Sequence, residues 1–187
     1  DKILEELNKK KVYALLIHDV SQLRGKFGKN FYKALKNLKK NKKFIFYKID
    51  IKNYKKLENL FLKYSFDYVI NLAAQAGVRY SIKNPDTYFD SNIQGFYNIL
   101  KLSNKFKIQH LIFASTSSVY GDSKKFPIVE NDNTDEPKSF YSASKKINET
   151  MAYSFSSIYN LKITGLRFFT VYGPFGRPDM AIFKFSK

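Results

Sequence analysis

Tyr141-Ser142-Ala143-Ser144-Lys145 places a phenol and an amine four residues apart. In a helix that spacing sets both on one face, within reach of each other. An ammonium beside a phenol stabilises the phenolate and draws its pKa from ~10 toward neutrality. Tyr141 thereby becomes a candidate general base at ordinary pH. The pair alone says little in a chain with 14 Tyr and 33 basic residues. Its setting says more. Thr116 stands 25 residues upstream of Tyr141, inside the hydroxyl-rich run Ser115-Thr116-Ser117-Ser118-Val119-Tyr120-Gly121 that follows an apolar segment. A hydroxyl to bind a substrate oxygen, a phenol to move its proton and an amine to hold a nicotinamide ribose suit hydride transfer at an alcohol carbon.

The surrounding elements must bring these groups together. Apolar runs at 12–17, 44–49, 68–73, 110–114 and 162–168 read as buried strands. Between them lie helical patterns. Asn53 is placed to cap a helix over 54–64 with Leu57, Leu60 and Phe61 on one face. Asn84-Pro85 is a cap followed by Pro at the first helical position, opening a predicted helix to about Lys105. Residues 140 to about 158 form another, after a long polar loop over 115–139. Asn30 is placed to cap a helix through Leu38, and Ile3, Leu4 and Leu7 suit a short amphipathic one. Alternating strands and helices describe an α/β fold with an open, mostly parallel sheet and right-handed crossovers. Ligands in such sheets bind beyond the carboxyl ends of the strands. Asp50, Ala73-Ala74-Gln75, Ser115-Thr116-Ser117 and Phe169-Thr170 all fall there.

Composition removes several rivals. The chain of 187 residues has no Cys, which excludes a thiolate zinc site, a disulfide framework and a cysteine nucleophile. Two His, His18 and His110, lie too far apart in sequence to make a His-based metal site or a Ser-His-Asp triad a natural reading. No apolar run reaches the ~20 residues of a membrane span, and no signal peptide opens the chain. The formal charge of +17 is dominated by Lys, with only Arg24, Arg79, Arg167 and Arg177 as arginines. The excess is concentrated before residue 64, where 18 basic and 6 acidic residues give +12, against 15 and 10 (+5) afterwards. Nucleic-acid sites favour Arg forks and aromatic platforms in recognisable motifs, and none is visible. The charge reads as a Lys-rich solvated surface, with neither nucleic acid nor membrane as partner. A Lys-rich nucleic-acid binder would betray itself by steep salt dependence.

Taken together, the motifs resemble an extended short-chain dehydrogenase/reductase of the NAD-dependent sugar-nucleotide epimerase/dehydratase group, and within it the UDP-glucuronate 4-epimerases. The resemblance rests on Asn71-Leu72-Ala73-Ala74-Gln75-Ala76-Gly77-Val78-Arg79-Tyr80-Ser81, Asn84-Pro85, Ser91-Asn92, Gly95, and Ala114 through Gly121. It extends through Tyr141-Ser142-Ala143-Ser144-Lys145-Lys146, Gly165 through Pro174, and Gly176-Arg177-Pro178-Asp179-Met180-Ala181. It implies a Rossmann-like doubly wound parallel sheet, NAD as cofactor, a UDP-sugar as substrate and a cytoplasmic location. A homodimer through the helices near 86–105 and 140–158 is also implied. Thr116, Tyr141 and Lys145 would be the catalytic trio. Asp50 and Ile51 would lie at the adenine, and Leu72, Ala73, Ala74 and Gln75 along the dinucleotide. Asn92 would sit near the active site, with Ser115, Tyr141, Lys145 and Phe168 flanking the nicotinamide half. Asp19 follows a strand where an acid bonds the adenosine ribose. Arg79, Thr116, Ser117, Ser118, Thr170 and Arg177 would face the nucleotide sugar. Group members that eliminate water carry Asp and Glu directly after the catalytic Thr, and decarboxylating relatives keep a Glu; here Ser117 and Ser118 stand instead. That favours plain 4-epimerisation over a 4,6-dehydratase, with a neutral-sugar 4-epimerase as the nearer alternative.

The chain also departs from the group. The Gly-rich dinucleotide fingerprint, which should follow the first strand, is missing, and Gly25-Lys26-Phe27-Gly28-Lys29 stands after the wrong strand to replace it. Residues 18–30 do not match the group's usual run. The expectation is therefore a partial NAD-binding domain over 1–187, lacking the first central strand, with 169–187 leading toward an absent substrate domain. Such a piece is expected to be inactive alone. A non-catalytic dinucleotide-fold protein is the alternative from another functional class.

Overall fold

The computed structural model describes residues 13–16, 36, 40, 44–171 and 185. Expectations that fall on the short first helix, residues 18–30 with His18 and Asp19, or Arg177 and its neighbours lie outside them. The described residues divide into two units, each taken by itself. One contributes β1 (Tyr13–Leu16) and β2 (Phe44–Tyr47), a parallel pair with Tyr13 opposite Phe44 and Leu16 opposite Tyr47.

The other unit, Asp50–Thr170, is a three-stranded parallel sheet with its crossover helices. Its central strand is β4 (His110–Thr116), flanked by β3 (Tyr68–Asn71) and β5 (Ile163–Phe168). Tyr68 pairs with His110 and Asn71 with Phe113; Leu111 pairs with Ile163 and Thr116 with Phe168. Parallel neighbours require a long connection, and helices supply it on both sides of β4. The parallel α/β architecture is the one the sequence predicts. The strand β4 runs on to Thr116, two residues past its predicted end, so Ser115 and Thr116 are strand residues with alternating orientation rather than loop residues.

Before β3, α1 (Tyr54–Lys63) starts at Asn53, whose side chain accepts a hydrogen bond from the Lys56 amide at 3.0 Å. Its Leu57, Leu60 and Phe61 are buried as their spacing predicts, each burial being worth ~1.5–3 kcal/mol. The Phe61 ring meets Phe66 edge-on at 5.2 Å and Phe106 at 5.6 Å.

The connection from β3 to β4 contains the helix predicted to open at Asn84-Pro85, unbroken from Pro85 to Lys105 but widened within by a π turn, and adds a short helix before it. It consists of α2 (Val78–Lys83), α3 (Pro85–Tyr88), a π-helical stretch over Phe89–Gln94, and α4 (Gly95–Lys105). Pro85 does open a helix, but the Asn84 side chain makes no capping bond. The Asn84 backbone instead closes α2, its N–H donating to the Tyr80 carbonyl. The π stretch widens one turn and places Ser91 and Asn92 inside. The helix α4 lies against the sheet through Phe96, whose ring centroid is 4.8 Å from that of Phe113. A Cβ on Gly95 would stand 2.6 Å from the Ile51 side chain, so this position admits only glycine without displacing a fully buried residue. Asn98 completes the junction, its Nδ2 donating to the carbonyls of Ile51 and Lys52 at 2.9 Å each.

After β4, a 3-10 turn over Ser117–Tyr120 leads to Gly121 at φ 58, close above the Glu136 carbonyl. The segment that follows is tied down by Lys125–Asp132 at 2.6 Å, and by Lys146 to the Thr134 hydroxyl at 2.5 Å and to Asp135 at 3.2 Å. The helix α5 (Phe140–Tyr159) then begins at a reciprocal Ser139–Ser142 capping box and ends at Asn160 in the left-handed conformation.

Candidate active site

The capping box fixes where α5 begins, and so puts Tyr141 and Lys145 in its first two turns. Lys145 is almost wholly buried at 3 % exposure, and its Nζ donates to the Ala114 carbonyl on β4 at 2.8 Å. Burial favours the neutral amine and pulls its pKa down to about 8. Tyr141 is half-buried and meets the Tyr88 ring edge-on at 6.0 Å. Tyr88, itself fully buried, donates its hydroxyl proton toward the Gly77 carbonyl at 2.6 Å, with the Ala76 carbonyl at 3.1 Å. The segment after β3 is thereby tied to the helix face that carries Tyr141.

A second tie runs beneath it. The Asn92 amide pairs with both backbone groups of Gln75, Oδ1 accepting from its N–H at 2.8 Å and Nδ2 donating to its carbonyl at 3.0 Å. The same Nδ2 donates to Ser144 Oγ at 2.9 Å, and Ser144 in turn donates to the Tyr141 carbonyl at 2.7 Å. Gln75, Asn92 and Ser144 are all buried. One amide thus joins the segment after β3, the π stretch and the second turn of α5.

Thr116 ends β4 nearly buried, and its Oγ1 accepts from the Ser118 amide at 3.2 Å and lies 3.3 Å from Ser118 Oγ. It caps the 3-10 turn while standing at the sheet's carboxyl edge, and Ser117 and Ser118 follow it half-buried. Ser115, on the opposite face of the strand, donates to Glu149 Oε1 at 2.5 Å. Glu149 is held from the other side by Arg167, with Nε–Oε1 2.9 Å and Nη2–Oε2 2.8 Å. Burial pushes the Glu149 carboxyl up, but its bonds to Arg167 and Ser115 prevail and leave it below the ordinary range. Glu149 raises the Arg167 pKa in return.

The remaining predicted residues divide plainly. Leu72 and Phe168, at the carboxyl ends of β3 and β5, are large apolar side chains 62 % and 43 % exposed. Ala73 and Ala74 are half-buried beside Leu72. Arg79 on α2 and Thr170 after β5 are exposed. Asp50 is exposed, and its Oδ1 accepts from the Lys52 amide at 2.8 Å, closing the turn before α1. Ile51 lies wholly inside the core, so its side chain offers nothing to a ligand. Sequence reading missed Tyr88, Ser144, Glu149 and Arg167. Glu149 had a signal, since Tyr141, Lys145 and Glu149 recur every four residues along one helix face. Among the described residues no cluster of His, Cys, Asp or Glu could hold a metal ion, and no helix is long and apolar enough to cross a membrane.

The family model for the NAD dependent epimerase/dehydratase family matches residues 3–187. The chain belongs to that family. Among its curated members, Protein CapI of Staphylococcus aureus is 59% identical over 144 residues, which is 77% of this chain and 43% of that protein. UDP-glucuronate 4-epimerase 4 of Arabidopsis thaliana is 52% identical over 139 residues, 74% of this chain and 32% of that one. The solved UDP-glucuronic acid 4-epimerase of Bacillus cereus, in complex with UDP-glucuronic acid and NAD, superposes with a TM-score of 0.78 at 31% identity. That superposition covers 97% of this chain and 56% of the other. The chain therefore spans between about a third and a little over half the length of these family members. NAD is the dinucleotide of the family. The residues present fit it: exposed Leu72 and Phe168 offer apolar cover for flat rings, and between them β4 ends in hydroxyls with a buried amine beneath.

Proposed function

We propose that the chain carries the cofactor half and the proton-transfer residues of a sugar-nucleotide 4-epimerase, interconverting UDP-glucuronate and UDP-galacturonate. The observation that carries the reading is the buried Lys145 amine, one helical turn from Tyr141 and bonded to the strand that ends in Thr116. Relatives named for UDP-glucuronate, at 52% and 31% identity, support the choice of sugar. Leu72, Ala73, Ala74, Gln75, Asn92, Ser115, Lys145 and Phe168 would hold NAD, with Asp50 and the Ile51 backbone toward its adenine end. When bound, NAD supplies the reversible hydride acceptor for the sugar's C4. The rest falls to the chain. Tyr141 takes the proton of the 4-hydroxyl, and Lys145, one turn along the same helix, sets a cationic donor beside the charge that forms there. Thr116 holds the 4-oxygen, Tyr141 returns the proton once C4 has been reduced on its other face, and Arg79 and Arg177 would face the nucleotide sugar.

A 4-keto uronate is a β-keto acid and loses CO₂ when its carboxylate aligns with the carbonyl. Thr116, Ser117, Ser118 and Thr170 offer hydroxyls to that carboxylate and no negative charge to repel it. Placing a carboxylate there, as Ser118→Glu, should raise KM for UDP-glucuronate in the full-length enzyme by roughly 10-fold or more, from one like-charge contact of about 1.4 kcal/mol or greater. Unchanged steady-state constants would contradict this assignment. The same two serines argue against a dehydratase, which needs acids at those positions.

A homodimer through α4 and α5 belongs to the same proposal, supported by their outer faces, where Tyr97, Ile147, Tyr153, Ile158 and Tyr159 are exposed. Such apolar patches mark protein interfaces. Sedimentation equilibrium should return twice the chain mass, and Tyr153→Glu should shift it toward one; a wild-type monomer at micromolar concentration would rule this interface out.

A further inference from the structure

Glu149 stands one turn beyond Lys145 on α5, the position at which a helix ordinarily pairs an acid with an amine. No such ion pair forms. Both oxygens of Glu149 are occupied by the Arg167 fork at 2.9 and 2.8 Å, and Oε1 also accepts from Ser115 at 2.5 Å. Arg167 is itself immobilised, Nη1 donating to Tyr120 Oη at 2.9 Å and to the Glu130 carbonyl at 2.8 Å. Its guanidinium also lies 4.9 Å from the centre of the Tyr120 ring. Lys145, one turn away, bonds the Ala114 carbonyl and has no acidic partner among the described residues.

As a stability device this arrangement is poor. Ion pairs withdrawn from water recover little more than they lose, and apolar groups of the same volume usually serve as well. Its geometry serves position instead. We propose that Arg167 and Glu149 are a positioning pair for the Tyr141–Lys145 site: Arg167 sequesters the Glu149 carboxylate, so that the buried amine addresses Tyr141 with no acid to capture it. Ser115, neighbour of Thr116 on β4 and of Ala114, which accepts from Lys145, ties the pair to the strand carrying both contacts. A carboxylate free to pair with Lys145 would hold the ammonium away from the phenol and neutralise its charge.

The inference rests on the reading of Lys145 as the partner of Tyr141, but it is tested on the amine itself, without turnover. Titratable and charged groups around the stripe are Tyr141, Lys146 and Glu149 on α5, Tyr120 on the 3-10 turn, Arg167 on β5, Glu130 in the loop and Tyr88 on α3. The experiment is an NMR titration of protein labelled with ¹³C at the lysine ε-carbons, the Lys145 resonance being assigned by its loss in Lys145→Arg. Arg167→Met frees Glu149 and should raise the Lys145 midpoint by about one pH unit. Glu149→Gln leaves the Arg167 charge unbalanced and should lower it by about half a unit. The double variant removes both charges and should return to the wild-type midpoint. Mere disturbance of packing cannot give opposite signs that cancel. Single variants that shift together, or that both leave the midpoint in place, would overturn the proposal. Should Arg167→Met fail to fold, Glu149→Gln and Arg167→Lys decide: the first must lower the midpoint and the second, which keeps the charge, must leave it unchanged. Any other result counts against the pair. A negative outcome leaves the sugar assignment untouched, and failure of that assignment leaves the titration standing.

Discussion

Tyr141→Phe in the full-length enzyme is expected to lower the rate of 4-epimerisation by roughly 10²–10⁴-fold, the range general acid–base groups supply. The phenol touches the sugar only through the proton it moves, so KM should change little. The substituted ring keeps its edge-on contact with Tyr88 at 6.0 Å, which leaves the fold in place. The effect should therefore lie in kcat, with an unchanged melting temperature. Direct assay of UDP-galacturonate formation checks it, and an enzyme that retains more than a tenth of its rate would remove Tyr141 from the mechanism. Lys145, proposed to assist Tyr141, gives the pH dependence its sign. Its amine is drawn down to about 8 by burial, so its positive charge is present below that pH and is lost as pH rises through it. Folding runs the opposite way: a buried lysine whose pKa is depressed must lose its proton or be held charged at a cost, so this site favours the folded state more as pH rises from about 8 toward the ordinary lysine value.

Asn92→Leu should be the most damaging single change to the fold around the site. It keeps the branched shape of the amide, though bulkier, and removes the partners of the Gln75 N–H and carbonyl and of Ser144 Oγ, all buried. Each stranded polar group costs about 1–3 kcal/mol, so a loss of roughly 3–5 kcal/mol in unfolding free energy is expected. Urea denaturation followed by circular dichroism measures it. Asn92→Asp should do less harm, since its oxygen still accepts from the Gln75 N–H. A loss below ~1 kcal/mol for Asn92→Leu would mean that the three-way tie between β3, the π stretch and α5 is not what holds the site together.

These two residues show what a sequence exposes and what it conceals. Tyr141 and Lys145 were legible because both lie on one helix, and their relation depends only on the helical repeat. The Asn53 cap, the Leu57-Leu60-Phe61 face and the parallel strands were legible for the same reason, each being a local pattern. The π stretch was not, because one widened turn leaves the polar and apolar spacing of residues 89–94 unchanged to the eye. Nor was the double use of Asn84, whose backbone ends one helix while Pro85 begins the next. The Glu149–Arg167 pair spans 18 residues and two different elements, and in a chain so rich in Lys an isolated Arg on a strand reads as surface charge. Only the sheet register, which sets Ser115 opposite Arg167, brings the two within reach.

The central claim is that Tyr141, Lys145 and Thr116 serve a reaction in which hydrogen leaves C4 of a UDP-uronate and returns to the same carbon. UDP-glucuronate carrying deuterium at C4, incubated with the full-length enzyme and NAD in ordinary water, tests it directly by ¹H NMR and mass spectrometry. The account predicts UDP-galacturonate with the deuterium retained at C4 and no decarboxylated pentose product. Loss of the label to water, release of CO₂, or no interconversion at all would contradict it.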